Sequence, residues 1–416
     1  MRQSCNQHEA MRYPAAPTLA RRSSDIVCLR NLQRQRGSCI VRTMAAKVVT
    51  IAGQPGDLDR IKEAAQIVDA GGLVAFPTET VYGIACRAKR EPLARLDQVK
   101  GRAAEKHYTL HIGQIDEYRR YAPRVGLRAE KLVRRAWPGP LTLVFGLNDP
   151  DLSEKRERID SEAFEALYKN NSIGIRCPDH AVASLLLRAA EHPVVAPSAN
   201  PAGKEPATSA EQVLAELSDQ IDVVLDGGPC KYGRSSTVAS VDSHGVEVLR
   251  QGVYSQSDLN AMSQVTILFV CTGNTCRSPM AERLFRKYLA EKIGCNVDEL
   301  EQAGYKVVSA GTMDLAGMPA SAEAMLACEQ KGIDLTDHTS RRLTRSLVEA
   351  SDLIFGMAQS HCEHVMFLSP DAEGKCVLLA GDEEIPDPVG RSQEYFNNCA
   401  NVIDAAVKAR VRELAL

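Results

Sequence analysis

Apolar residues recur along this chain in short runs separated by amphipathic stretches, and the alternation begins at Lys47. Residues 58–70 place Ile61, Ala64, Ala65 and Val68 at helical spacing, which predicts an amphipathic helix ended by Gly71-Gly72. The apolar run 73–76 stops at Pro77 and reads as a short buried strand. Similar runs follow at 141–145, 172–176, 194–196, 223–225, 237–241 and 246–249, with helical patterns between several of them. This order predicts an α/β domain with a mixed sheet over 45–253. Residues 150–171 are charged and helical in pattern, as expected of a surface insertion. Residues 254–263 are polar and non-periodic with three Ser, and read as a linker between two separate cores.

Beyond the linker, 265–270 is a clean apolar strand and 280–292 a helix. Short strands at 307–310, 353–356 and 377–378 alternate with helices at 320–331, 344–350 and 395–414. Strands alternating with helices predict parallel βαβ units, so 264–416 is expected to form a doubly wound parallel sheet. There is no internal repeat.

Composition narrows the class. With 44% hydrophobic and 25% charged residues, the chain has the make-up of a water-soluble protein with material for two cores. The net charge of −3 gives no global nucleic-acid signal. It hides a basic start, because residues 1–44 carry eight Arg and no Lys against Glu9 and Asp25. That stretch reads as a disordered extension or as sequence ahead of a start at Met44, in preference to a transit peptide. The thirteen cysteines lack the spacing of a disulfide scaffold or zinc site, which points to a reducing cytoplasm. No apolar stretch is long enough to span a membrane.

The most informative string is Val270-Cys271-Thr272-Gly273-Asn274-Thr275-Cys276-Arg277-Ser278-Pro279. A strand enters a Cys-x5-Arg loop and a helix leaves it, with Pro279 near the first turn. Loop N–H groups and the positive end of the helix then converge on one point, where a phosphate can sit and a thiolate on Cys271 is stabilised. Arg277 offers a planar bidentate partner for phosphate oxygens. Ser278 can donate to the thiolate, and Gly273 allows close backbone approach. Asp387, in the stiff Ile385-Pro386-Asp387-Pro388 loop, is the candidate proton donor.

Residues 265–416 resemble the low-molecular-weight protein-tyrosine phosphatase family, which includes arginine phosphatases and is similar to arsenate reductases. The resemblance extends through Ser309-Ala310-Gly311, His338-Thr339-Ser340, Asp352-Leu353-Ile354 with Met357, and Asp387-Pro388. It implies Cys271 as nucleophile, Arg277 as phosphate clamp and Asp387 as general acid, on phosphorylated protein substrates. Asn274 and Ser278 would support the loop, and Cys276 would pair with Cys271 under oxidation. Val389-Gly390 follows Asp387-Pro388, where tyrosine-specific members commonly carry aromatics. Thr275 stands where they carry a larger aliphatic residue and where arginine phosphatases carry Thr. Both departures favour phosphoarginine over phosphotyrosine, with a tyrosine phosphatase or arsenate reductase as the alternative.

In the first half, four segments carry polar groups suited to a ligand. They are Phe76-Pro77-Thr78-Glu79-Thr80-Val81-Tyr82-Gly83; Lys100-Gly101-Arg102 with Lys106 and His111; Ala196-Pro197-Ser198-Ala199-Asn200-Pro201; and Asp226-Gly227-Gly228 with Ser235-Ser236-Thr237-Val238 and Leu249-Arg250. Lys100 and Arg102, two apart, can meet one polyphosphate. In this order the segments resemble the YrdC-like threonylcarbamoyl-adenylate synthase family over roughly 50–253. The resemblance implies use of ATP with Mg2+, L-threonine and bicarbonate, with a product that feeds N6-threonylcarbamoyladenosine formation by the tRNA-modification machinery. It assigns Lys100, Arg102, Ser198, Asn200 and Arg250 to ATP, and Thr78, Tyr82, His111, Arg176 and Ser236 to threonine. No protein side chain is assigned to metal. Four positions depart from the family pattern: Ala103, His107-Tyr108, Ser235 and Gln251. The rival reading is a double-stranded-RNA-binding module that has lost synthesis; the retained polar set favours the enzyme.

Overall fold

The computed structural model describes residues 45–101 and 108–415. Residues 1–44 and the segment holding Arg102 and Lys106 lie outside the described residues.

The first half is built on an 11-stranded mixed sheet. Lys47–Thr50 and Val74–Phe76 lie parallel to Val223–Asp226 on either side of it, and Gly83–Arg87 then runs antiparallel to Val74–Phe76. Further along, Thr109–His111 is parallel to Ser172–Arg176, and Leu141–Gly146 pairs with Ser172–Arg176 on one edge and Thr237–Val241 on the other. Residues 73–76 are fully buried because successive side chains enter opposite layers: Leu73 and Ala75 join one core, Val74 and Phe76 the other. The helix expected at 58–70 is Asp57–Asp69, burying Ile61, Ala64, Ala65 and Val68 as its periodicity requires. The charged insertion forms helices Asp149–Arg158 and Ser161–Leu167, capped by the side chains of Asn148 and Asp160.

The second half is a sheet of four parallel strands in the order Tyr305–Gly311, Val265–Cys271, Leu353–Gly356, Cys376–Leu378. Val265–Cys271 is buried along its whole length, as an interior parallel strand covered on both faces should be. Val265, Ile267, Phe269 and Cys271 face one core; Leu268 and Val270 face the other. The chain leaves this strand toward one side of the sheet and later resumes on the other. The carboxyl end of Val265–Cys271 is therefore a topological switch point, where such sheets open a crevice. Helices Arg277–Ile293 and Gln393–Glu413 pack on one another beside the sheet.

One expectation is corrected. Residues 256–263 form a helix, Gln256–Ser263, rather than an irregular linker. Ser255 accepts from the N–H of Asp258 at 3.2 Å, while Asp258 accepts from the N–H of Ser255 at 2.8 Å, a reciprocal cap that fixes its start. Leu259 is fully buried in the first-half core. The buried apolar clusters of the two halves are separate, and polar contacts join them at the junction. Lys131, 4% exposed, donates to Asp352 at 2.5 Å and to the Gln264 carbonyl. Asp352 also accepts from the N–H of Thr266 at 2.8 Å, and Arg128 donates to Ser263 at 3.0 Å. Burial pulls the Lys131 ammonium down from the usual lysine range, against the pull of Asp352. Among the described residues no helix is long and apolar enough to cross a membrane.

Candidate functional site

The strand Val265–Cys271 ends on a thiol at the mouth of the crevice, and helix Arg277–Ile293 begins six residues later. Between them the loop folds around Asn274, whose φ of 54° is left-handed. Three hydrogen bonds, two of them fully buried, hold it there. Its amide nitrogen donates to Ser278 Oγ at 2.9 Å and Ser309 Oγ at 2.8 Å, and its side-chain oxygen accepts from the N–H of Arg341 at 2.8 Å. The Ser309 hydroxyl in turn donates to Glu282 Oε2 at 2.6 Å. This leaves the Asn274 N–H directed at Cys271 Sγ, 3.2 Å away. Ser278 Oγ lies 2.9 Å from the same sulfur, and its hydrogen is available because Asn274 fills one of its lone pairs. His338 Nε2 contacts the Asn274 carbonyl at 2.7 Å. Gly311 underlies the loop: a Cβ there would lie 2.8 Å from the Thr272 carbonyl and 3.0 Å from the Asn274 nitrogen, so only glycine lets strand and loop approach this closely.

Arg277 is buried, and its guanidinium donates to the Ile385 carbonyl at 3.0 Å and Thr272 Oγ1 at 3.3 Å. It also pairs with Asp387, which is brought from 110 residues away over the loop and stays 43% exposed. The guanidinium and the carboxyl therefore meet over the loop that carries Cys271, where Arg277 also holds Thr272. Cys276 is a buried free thiol whose pKa is raised by burial, with Ser321 Oγ 3.4 Å from its sulfur. Thr275 is half-buried, its carbonyl tied to the N–H of Ser321 at 2.9 Å, and Val389 is 65% exposed. Sequence reasoning missed Glu282, which anchors Ser309, and His361, whose Nε2 lies 3.0 Å from Thr272 Oγ1. Neither sits in a recognisable string; both face inward from helices.

In the first half a pocket of about 350 Å³ is lined by Lys100, His111, Arg176, Ser198, Asn200, Ser236 and Arg250, among others. Lys100, at the end of helix Arg90–Lys100, reaches the Ser198 carbonyl at 2.5 Å, Asn200 Oδ1 at 3.2 Å and Ser198 Oγ at 3.4 Å, and also contacts the Asn200 carbonyl. Two segments about a hundred residues apart are joined by one ammonium. Arg250 donates to the Ser236 carbonyl at 2.9 Å and Ser236 Oγ at 3.2 Å; burial and nearby Arg176 lower its pKa. Arg176 pairs with buried Glu79 at 2.9 Å, and its Nε has no partner among the described residues. His111 Nδ1 faces the Thr109 carbonyl at 3.1 Å, so Nδ1 carries the ring proton. Burial and the charge of Arg176 push its pKa down to about 3, which keeps the ring neutral.

Thr78 and Tyr82 lie behind the pocket wall rather than in it. Thr78 Oγ1 donates to the Val81 carbonyl at 2.7 Å and accepts from Arg176 at 3.4 Å; Tyr82 donates to the Gly228 carbonyl at 2.8 Å. Arg102 lies outside the described residues. Thr142, 3.1 Å from Ser236 Oγ, joins the lining, and neither it nor the Glu79 partnership was assigned from sequence. The described lining holds cations, hydroxyls and amides but no carboxylate, so it suits an anionic ligand.

Residues 266–415 match the family described as low molecular weight phosphotyrosine protein phosphatase, and residues 66–252 match the Sua5/yciO/yrdC family, described as telomere recombination. A low molecular weight protein-tyrosine-phosphatase of Escherichia coli, Etp, is 35% identical over 153 residues, covering 36% of this chain and 95% of that protein. The threonylcarbamoyl-AMP synthase of Pyrococcus abyssi is 36% identical over 194 residues, covering 46% of this chain and 54% of the relative. That of Bacillus subtilis is 34% identical, covering 49% and 56%. The chain therefore spans about half the length of the synthases it matches. Through residues 266–415 the chain belongs to the low-molecular-weight phosphotyrosine protein phosphatase family, and ahead of that domain it carries a domain of the Sua5/YrdC family.

Proposed function

We propose that the chain is a bifunctional enzyme, a cysteine-dependent protein phosphatase fused to a synthase of threonylcarbamoyl-AMP. The observation that carries the first activity is the convergence on Cys271 Sγ of the Asn274 N–H and the Ser278 hydroxyl, with Arg277 and Asp387 paired beside it. In this reading the Cys271 thiolate attacks phosphorus, forming a P–S bond. The bond from phosphorus to the leaving group breaks as Asp387 gives its proton to that group. Water then attacks the phosphocysteine, Asp387 takes its proton, and inorganic phosphate departs with the thiolate restored. Arg277 and the loop N–H groups hold the equatorial oxygens in both steps.

The substrate we favour is phosphoarginine in proteins. Thr275 leaves a small, polar wall in the loop, and Val389 offers no ring to stack on a phenyl group. The Asp387 carboxyl can also pair with a departing guanidinium.

For the first half, the reading rests on Lys100 held by Ser198 and Asn200 in a pocket that also gathers Arg176, His111 and Arg250. ATP phosphates would meet Lys100, and the carboxylate of threonine would meet Arg176, which has a donor to spare. Magnesium enters with ATP as part of the substrate. The described lining supplies hydroxyl and amide oxygens but no carboxylate, which fits an ion held chiefly by phosphate oxygens and water. The ten described cysteines are free thiols, in keeping with a cytoplasmic setting and with service to the tRNA-modification machinery there. The test is one preparation assayed twice. We expect release of phosphate from phosphoarginine faster than from phosphotyrosine, and pyrophosphate from ATP only when threonine, bicarbonate and Mg2+ are all present. Silence in the second assay, with double-stranded RNA bound, would make the first half a binding module.

A further inference from the structure

His361 lies outside the loop that carries the proposed chemistry, yet it is buried against it. It sits in the first turn of helix Gln359–Leu368 and is 3% exposed. The N–H of Ala358 donates to its Nδ1 at 3.0 Å, so that nitrogen carries a lone pair and the neutral ring has its proton on Nε2. Nε2 is 3.0 Å from Thr272 Oγ1 and therefore donates to it. Burial and the charge of Arg277 lower the His361 pKa to about 4, in agreement with a neutral ring. Arg277 Nη2 donates to the same Thr272 oxygen at 3.3 Å. A hydroxyl has two lone pairs and one proton. With both lone pairs engaged, Thr272 can act on a further group only as a donor.

We infer that His361 is a positioning residue for the phosphatase: by occupying Thr272 Oγ1 together with Arg277, it makes the Thr272 hydroxyl a fixed donor to a phosphoryl oxygen and holds the guanidinium in register with the loop. The inference rests on the phosphatase reading above. Its bland rival is that His361 only caps its helix through the N–H of Ala358. A capping loss would lower thermal stability and leave phosphate affinity untouched.

The test uses the full chain, with para-nitrophenyl phosphate turnover, inhibition by inorganic phosphate and thermal denaturation measured on each variant. H361F and T272V should each weaken inorganic phosphate about tenfold, the size of a lost hydrogen bond to a charged group, with KM raised by a like factor and kcat changed less. H361Q keeps a donor near the position of Nε2 and T272S keeps the hydroxyl, so both should stay within about threefold of wild type. The H361F/T272V double variant should be no worse than T272V, because the histidine acts through that hydroxyl. Losses that multiply in the double variant, or an H361F protein with lowered Tm and unchanged phosphate inhibition, overturn the inference. Should H361F not fold, equal phosphate inhibition in T272V and wild type overturns it as well. A wild type without turnover would instead strike the phosphatase reading itself.

Discussion

Around Cys271 one passage of chain, from strand through loop to helix, delivers the thiol, the guanidinium and the two donors to the sulfur, while Asp387 and the groups that brace the loop come from elsewhere in the same domain. Around Lys100 the polar groups are collected from strands and loops spread between Glu79 and Arg250, and the ammonium itself ties two of the segments together. The first arrangement is a local backbone device whose shape follows from a left-handed Asn274 and a glycine at 311. The second is a tertiary assembly, and each member depends on the register of a large mixed sheet. A local device fails when one of its own residues changes. A tertiary assembly is also sensitive to what holds the sheet and the halves in place.

Four substitutions or conditions sharpen this contrast. The largest effect should come from Cys271→Ser, which leaves a hydroxyl in place of the nucleophile; phosphatase kcat should fall by about 10⁴-fold or more in steady-state assays. Next comes the junction. Asp352→Ala strands Lys131, 5% exposed at its side chain, without its carboxylate. Leaving a buried charge unpaired should cost about 3 kcal/mol, read as a lowered midpoint in urea denaturation of the full chain. Unchanged stability would show that the two halves do not rely on this contact.

Lys100→Ala comes third. It removes the ammonium that spans Ser198 and Asn200 and should lower threonine-dependent pyrophosphate release about 10–100-fold. A full-rate variant would separate the pocket from ATP. The smallest effect is that of pH on His111. Its pKa falls from 6.5 to about 3 on folding, so the unfolded chain binds more protons below about pH 6.5. The stabilisation is present above pH 6.5 and is lost progressively as pH falls toward the folded value. Between pH 7.5 and 6 this group should account for about 0.8 kcal/mol, seen as the difference in slope between wild type and His111→Gln. Equal slopes would show that His111 is not the neutral, buried ring described above.

The contrast also explains what the sequence made legible. The Cys-x5-Arg loop could be read because its chemistry and its geometry share a single string. The strands at 73–76 and 265–270 could be read as continuous apolar runs, whereas the division of their side chains between two cores appears only in the structure. By contrast, helix Gln359–Leu368 starts at Ala358, without the Ser, Thr, Asp or Asn that usually announces a helix, and it takes its cap from the imidazole of His361. The helix went unread, and with it the histidine against Thr272. The helix at 256–263 carried a signal, Ser255 with Asp258 three residues on, but its single buried Leu259 gave no apolar stripe. Glu282, Glu79 and Thr142 owe their places to pairings with Ser309, Arg176 and Ser236, which are distant in the chain. Thr78 and Tyr82, which the resemblance assigned to threonine, lie behind the pocket wall, with their hydroxyls spent on the carbonyls of Val81 and Gly228.

The most direct test is to look for the phosphoryl group on sulfur. With para-nitrophenyl phosphate, whose leaving group departs without a proton donor, Asp387→Asn should chiefly slow the hydrolytic half of the cycle by removing the base that takes a proton from water. Rapid quenching of this variant during turnover, followed by mass spectrometry, should find one phosphoryl group per chain, on the peptide that carries Cys271. Turnover with no labelled Cys271, or with the phosphoryl group on another residue, would contradict the account.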